Sequence, residues 1–414
     1  MISRTSRPFT TPLNRMKRRA ALVLPSLLLG FSIIATASQA QPAKGAKKFA
    51  GNICGNSVRT DFGTYWNQIS PENAGKWGSV ESQRDRYSFT GLDAMKAYAE
   101  KNGIPWKLHT LVWGSQYPSW ITGLSQSEQL AEITEWFDTL AVRYPNATLI
   151  DVVNEAHPSH APAPYKAALG GDGATGYDWI IKAFQMARAR WPKAILIYND
   201  FNNIEWANEV NWTPTMINAL IKANAGVDAI GCQAHDAYQI ANNTLKSNID
   251  KLAATGLPIY ITEFDIPDAN DANQKKIMEE KFTLFWNHPK VMGVTYWGYI
   301  VGQTWKSGTG LLNSTGTERP ALTWLKDFVK ANPNPPLDFP PVVSIGAPFK
   351  SVRGNTGFTA GQAGLRILDL QGRTVGSSGI NRPGVPALLT LPASGRYMVQ
   401  QGGGTGLASQ MQGR

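Results

Sequence analysis

Between Phe49 and Lys330, short β-branched apolar runs alternate with longer stretches in which apolar residues recur at helical spacing. Uninterrupted apolar runs read as strands buried on both faces, and apolar residues at i, i+3, i+4 and i+7 read as one face of a helix. The strand candidates are Phe49–Cys54, Trp66–Ile69, Trp106–Leu111, Leu149–Val153, Ala194–Tyr198, Ala229–Cys232, Pro258–Thr262 and Val291–Tyr296. Among the helix candidates, Gly91–Lys101 places Leu92, Met95, Tyr98 and Ala99 on one face, and Ser127–Tyr144 carries Leu130, Ile133, Trp136, Phe137 and Leu140. Tyr177–Trp191 is stopped by Pro192, and Asn273–Trp286 and Pro320–Val329 complete the set. Strand and helix in alternation imply parallel βα units. Eight strands in roughly 285 residues predict an α/β fold, a (β/α)8 TIM barrel over 45–332. A doubly wound open sheet is the rival, but no glycine-rich phosphate loop follows the first strand.

The pattern changes on both sides of this region. Asn332-Pro333-Asn334-Pro335-Pro336 opens a proline-rich stretch that predicts a linker over 333–345. Beyond it, strand-like segments at Gly361–Asp369, Gln371–Val375 and Gly395–Val399 are separated by turn signals, which predicts a small all-β C-terminal module over 346–414. At the other end, Lys17-Arg18-Arg19 precedes an apolar run from Ala20 to Ala35 and small residues at Ser38 and Ala40. Residues 1–40 therefore read as an export signal, with Met16 an equally good start, and the protein is expected to be secreted. Cys54 and Cys232 lie in separate strand candidates and are expected to be buried free thiols.

The net charge of +10 invites a nucleic-acid reading until its distribution is considered. Residues 1–40 hold six basic and no acidic side chains, and 333–414 hold seven basic and two acidic; 27 basic and 28 acidic remain between them. A neutral barrel suits an uncharged polymer better than a phosphate backbone, whose binding needs several neutralising Lys or Arg contacts. No nucleic-acid partner and no cofactor are expected, and the chain is expected to act as a monomer.

Polar residues gather where the strand candidates end: Glu72 and Asn73, His109 and Trp113, Asn154 and Glu155, Asn199 and Asp200, Gln233 and His235, Glu263 and Asp265, then Trp297. One end of one barrel would collect them all, and that end is where barrel enzymes keep their sites. Glu155 and Glu263 each close a buried run, and two such carboxyls are the equipment of a glycosidase. Glu263 is read as nucleophile, supported by His235, with Asp265 fixing the tautomer of that imidazole. Glu155 is read as acid/base, its pKa raised by burial and by the neighbouring carboxylate. Asn154 suits a hydrogen bond to a sugar 2-hydroxyl, and Trp113, Trp297 and Trp305 offer flat faces to sugar C–H surfaces. His157 and His160 stand three apart, but prolines surround them and no carboxylate or thiol nearby completes a set, so no metal site is expected.

These stretches resemble glycoside hydrolase family ten, the endo-β-1,4-xylanases, over Phe49 to Val329. The resemblance rests on Asn67–Asn73, Lys76-Trp77, His109–Trp113, Ser115-Gln116, Asp151–Ala156, Gln233-Ala234-His235, Ile261–Ile266 and Trp297 with Trp305. It implies a retaining mechanism with Glu155 as acid/base and Glu263 as nucleophile. It also implies sugar contacts from Glu72, Asn73, Lys76, His109, Trp113, Gln116, Asn154, Gln233, His235, Trp297 and Trp305. A retaining pair stands about 5–5.5 Å apart, an inverting pair about 6.5–9.5 Å. The chain departs from the family pattern at Gly114, usually a second histidine, at Gly75, usually bulky, and at Phe201, commonly Tyr. Gly75 is expected to loosen the sugar-binding wall, and altered affinity is expected from these changes. The tail is similar to C-terminal sorting modules of secreted bacterial enzymes, through Leu368–Arg373 and Gly395-Arg396-Tyr397. The resemblance implies contact with secretion machinery or the cell surface, while a structural β appendage or a weak sugar-binding module is the alternative for the tail.

Three other functions compete with a xylanase. A related barrel with cellulase or mixed xylan/β-glucan activity would share the same acids. A Schiff-base aldolase would want a free lysine at a strand end, and Lys107 is the only lysine inside a strand candidate. A non-catalytic sugar-binding barrel would be expected to have lost one acid, and both are present.

Overall fold

The structure, a computed structural model, describes residues 41–339 and four further strands between 365 and 413. The expected export segment at 1–40 lies outside the described residues. From the start of the described chain the elements are β1 (Phe49–Cys54), α1 (Phe62–Tyr65), β2 (Ile69–Pro71), α2 (Trp77–Val80), α3 (Thr90–Asn102) and β3 (Lys107–Val112). They continue with α4 (Gln126–Arg143), β4 (Leu149–Asn154), α5 (Asp178–Arg190), β5 (Ile195–Asp200), α6 (Ala207–Lys222) and β6 (Ala229–Cys232). Then come α7 (Asn242–Ala253), β7 (Ile259–Phe264), α8 (Asp271–Asn287), β8 (Val291–Tyr296) and α9 (Pro320–Ala331).

The eight strands form one parallel sheet in the order β2-β1-β8-β7-β6-β5-β4-β3. Pairing of β8 with β1 brings the two ends of the barrel sequence together. A single bridge between Ile69 and Trp106 links β2 to β3, so the sheet is a nearly closed (β/α)8 barrel, as the alternation predicts. Strands β1, β3, β4, β7 and β8 are buried at every position, as expected for strands covered on both faces. The start of α4 is fixed by a capping box between Ser125 and Glu128. Its buried Trp136 donates Nε1–H to Leu111 O at 3.0 Å, tying the helix to β3.

The sequence reading places the second strand three residues early. Trp66 instead follows α1 as a buried core residue, and β2 begins at Ile69. Helices α6 and α7 fill the gaps after β5 and β6, where periodicity singled out none. Pro214 interrupts the α6 pattern, and α7 is asparagine-rich with only Leu245, Ile249 and Leu252 on its buried face.

Where the strands begin, Phe49, Leu149, Ile197, Ala229, Tyr260 and Met292 form a small separate core. Leu337 and Phe339 pack against it, Lys47 N–H donates to Pro333 O, and Asp338 N–H donates to Pro289 O. The proline-rich segment expected to be a linker from 333 is therefore, over 333–339, a seal on the end of the barrel opposite the strand exits. The remainder to 345 lies outside the described residues. Farther on, β9 (Leu365–Leu368), β10 (Thr374–Ser378), β11 (Gly395–Gln401) and β12 (Ser409–Gly413) form an antiparallel sheet in the order β10-β9-β11-β12.

Candidate active site

Parallel strands share one direction, so the polar residues at their ends meet at one rim. Glu263, in the last turnout of β7, is 5% exposed. Its Oε1 accepts from Asn199 Nδ2 at 2.8 Å, and its Oε2 lies 3.3 Å from His235 Nε2. The other ring nitrogen, His235 Nδ1, is 3.1 Å from Asp265 Oδ2, which also accepts Trp305 Nε1–H at 2.7 Å. Burial by itself would lower the His235 pKa, but the two carboxylates outweigh it and raise it to about 10. The ring is thus an imidazolium donating from both nitrogens. Asp265, on the Nδ1 side, orients the ring and favours its charged form.

Burial would raise Glu263, but the hydrogen bond from His235 and the electrostatic influence of His109, His235 and Lys107 bring it down to about 2. Beneath it, Asp151 holds Lys107 Nζ at 2.8 Å and His109 Nδ1 at 2.9 Å. Lys107 is therefore a buried ion-pair partner rather than a free amine for a Schiff base.

Glu155 follows β4 with φ +55°, in the left-handed region that a side chain-bearing residue enters at a cost of about 1–3 kcal/mol. The loop is held there by Glu155 N–H donating to Asn199 O at 2.8 Å and by Ala161 N–H donating to Glu155 O at 3.0 Å. Its carboxylate accepts from Trp113 Nε1 at 2.9 Å and Gln233 Nε2 at 3.0 Å. Burial raises its pKa first; the Gln233 and Trp113 bonds oppose this, while Glu263 and Asp200 add to it. Of the two carboxyls, Glu155 is the one displaced toward its protonated form.

Asn199 connects the acids, and sequence reasoning noted it at the rim without giving it a role. Its amide donates to both Asn154 Oδ1 and Glu263 Oε1 at 2.8 Å, and its own Oδ1 accepts from Thr262 at 2.6 Å. Gly231 makes room for it, since a Cβ there would lie 2.5 Å from Asn199 Oδ1. Its place at the exit of β5, between β4 and β6, was the available signal.

The sugar-contact candidates divide around these acids. Lys76 Nζ donates to Asn73 Oδ1 at 2.9 Å and Gln116 Oε1 at 2.6 Å, and stands 5.0 Å from the centre of the Trp113 ring. Glu72 follows β2, and burial raises its pKa against the opposing charge of Lys76. The His109 ring meets the edge of Trp297 at 5.5 Å between ring centres. Trp305 is 55% exposed, so its face is open although its N–H is held by Asp265. Trp113 joins the two groups, touching Lys76 on one side and Glu155 on the other. Cys54 and Cys232 are buried and free, as expected.

A barrel that presents, at one rim, a buried and a half-buried glutamate whose pKa values are displaced in opposite directions, ringed by amides and indoles, has the equipment of a glycoside hydrolase. The sequence model of glycosyl hydrolase family 10 matches residues 34–328, and the chain belongs to that family. It is 48% identical over 283 residues to endo-1,4-beta-xylanase B of Cellvibrio japonicus; the match covers 68% of this chain and 45% of that protein. It thus spans less than half the length of that relative. Endo-1,4-beta-xylanase B of Thermotoga neapolitana is 32% identical over 254 residues, 59% of this chain and 72% of that protein. Among solved structures, xylanase 10B of Thermotoga petrophila in complex with xylobiose has a TM-score of 0.64 at 27% identity, covering 72% of this chain and 98% of that one.

The departures from the family pattern have local causes. A Cβ on Gly114 would lie 2.3 Å from Pro162 O and 2.4 Å from Ala161 O, and Gly114 N–H donates to Ala161 O. The loop after β4 occupies the space that a histidine side chain would need. A Cβ on Gly75 would lie 2.5 Å from His109 O and 2.9 Å from Pro71 Cγ, so the backbone of β3 and the Pro71 ring leave no room there for a side chain. Phe201 stacks on His160, ring centres 3.6 Å apart.

Proposed function

We propose that the protein is a secreted endo-1,4-β-xylanase that hydrolyses internal β-1,4-xylosidic bonds of xylan with net retention. The observation that carries this is one hydrogen-bonded constellation of two glutamates at the exits of β4 and β7, in which Asn199 donates to Glu263 and accepts from the Glu155 backbone. Within it, His235 draws the Glu263 pKa down to about 2 against the effect of burial, and burial raises that of Glu155. In the first step Glu263 attacks the anomeric carbon while Glu155 gives its proton to the leaving oxygen, forming a glycosyl ester. Glu155, now a carboxylate, then takes a proton from the water that displaces Glu263. Both groups return to their starting states. Asn154 faces the 2-hydroxyl of the attacked sugar, and Lys76, Asn73, Gln116, His109, Trp297 and Trp305 hold the chain on the nonreducing side. Xylan is favoured by the names of the relatives and by the near balance of basic and acidic side chains over 41–332.

Export rests on the basic-apolar-small order of 1–40, and attachment or sorting on the resemblance of the tail. The decisive experiment compares wild type with Glu263→Ala on xylan, cellulose and mixed-linkage glucan, with circular dichroism to establish the fold. Loss of turnover in the variant and a β-anomer as the first product seen by proton NMR are expected. Full activity in Glu263→Ala would refute the mechanism. Preference for glucose polymers would replace xylan with glucan as the substrate.

A further inference from the structure

We propose that His157, His160 and Glu209 bind a divalent transition-metal ion, Zn2+ being the best chemical match, and that the ion fastens the loop after β4 to the start of α6. The two histidines stand on the loop that carries Glu155, and Glu209 is in the first turn of α6. One ligand atom from each lies within 4.8 Å of the other two. His160 Nε2 is 3.6 Å from Glu209 Oε1, and the two imidazole centres are 4.7 Å apart.

The remaining ring nitrogens are already engaged. His160 Nδ1 is 2.7 Å from Asp200 Oδ1, and His157 Nδ1 is 2.7 Å from Ser159 Oγ. Metal-binding imidazoles characteristically use the second nitrogen in this way, which fixes the tautomer and turns Nε2 toward the ion. Glu209 Oε2 is buried without a hydrogen-bond partner. A buried carboxylate oxygen left without a donor is destabilising, and a cation would satisfy it.

Two imidazoles and a carboxylate, with a water in the fourth position, form a set that Zn2+ accepts. Zinc distances of about 2.0–2.2 Å put ligand atoms roughly 3.3 Å apart, so binding draws the three side chains inward by about an ångström. Pro158 and Pro162 bracket the loop and limit the freedom lost when it is clamped. A cavity of about 430 Å³, lined in part by Pro158, Tyr177 and Trp212, opens alongside and gives an approach from solvent. The sequence hid the site because Glu209 lies far along the chain and meets the histidines only when α6 docks beside the β4 loop.

The test is titration of untagged, EDTA-treated full-length protein with Zn2+ by isothermal calorimetry, with Co2+ absorption spectra as a second readout. One ion per chain with micromolar or tighter affinity is expected, together with a rise in Tm of about 4 °C at saturation. Glu209→Gln keeps the side-chain shape and is expected to weaken binding at least tenfold, as is His157→Asn. Absence of saturable one-to-one binding in the wild type overturns the proposal. So does wild-type affinity in either variant that folds, and His157→Asn, on a surface loop, serves if Glu209→Gln fails to fold.

Discussion

The exits of β4 and β7 both end in a glutamate taken out of water, yet the two carboxyls move in opposite directions. Desolvation is the largest influence at each site, and at each it favours the neutral form. At β7 a doubly bonded imidazolium and the charges beneath it reverse that influence. At β4 the donors are a neutral indole and a neutral amide, and the charges acting most on Glu155 are the anions Glu263 and Asp200. At β7 the neighbours therefore override burial, whereas at β4 burial sets the direction and the neighbours only modify it. In the proposed mechanism, the division of labour between nucleophile and acid follows from the cations beside Glu263 and the burial of Glu155.

That contrast predicts unequal consequences for removing each acid. Glu263→Ala deletes the atom that bonds to the sugar, and kcat on xylan should fall on the order of 10⁴-fold or more with the fold retained by circular dichroism. Glu155→Ala deletes a proton transfer, worth about 10²–10⁴-fold. Its loss should shrink on aryl glycosides whose leaving group needs no proton, because formation of the glycosyl ester then proceeds unaided. Steady-state rates on xylan and on a nitrophenyl substrate separate the two cases. An equal loss from Glu155→Ala on both substrates would remove the asymmetry in roles.

The next largest effect concerns the reversal itself. His235→Asn leaves Glu263 buried without its main cation, so its pKa should climb from about 2 beyond the ordinary 4.5, and the acid limb of kcat/KM should move to higher pH. The rate at the optimum should fall on the order of 10- to 100-fold. Stability carries the same signature. The folded pKa of His235 lies above its unfolded value of 6.5, so its contribution is complete below that pH and is lost as pH rises through about 10. Thermal unfolding across that window should flatten in the variant. An unmoved acid limb would mean that something other than His235 keeps Glu263 ionised.

Much of this was legible in the sequence because the barrel imposes it. Apolar runs marked the strands, and a polar residue at the end of each run had only one rim to occupy. Glu155, Glu263, Asn154, His235 and Asp265 could be named from that phase. What remained hidden depends on contacts across strands or loops. Asn199 looks like any rim amide until its amide group is seen to reach both Asn154 and Glu263. The protonation of His235 depends on carboxylates from β7 on both sides of its ring. Gly114 reads as a missing histidine in one dimension, whereas in space it is the position where the β4 loop lies against β3. Helices α6 and α7 were missed because proline and asparagine masked a narrow buried stripe, and tertiary packing supplied what local propensity did not.

The finest test of the comparison lies on the β4 side and asks whether neutral donors merely trim the Glu155 pKa. Trp113→Phe removes the Nε1–H bond to Glu155 Oε2 and keeps an aromatic ring beside Lys76. That bond favours the ionised carboxylate and is the smallest of the influences on Glu155, behind burial, Gln233, Glu263 and Asp200. Its loss should raise the pKa further, so the basic limb of kcat/KM moves to higher pH while the acid limb, set by Glu263, stays in place. Because the indole also lends a face to the sugar, KM should rise as well. The discriminating quantity is thus the position of the basic limb rather than the rate. A basic limb displaced to lower pH would mean that Trp113 acts mainly by excluding water from Glu155, and that desolvation governs this acid more completely than its hydrogen bonds do.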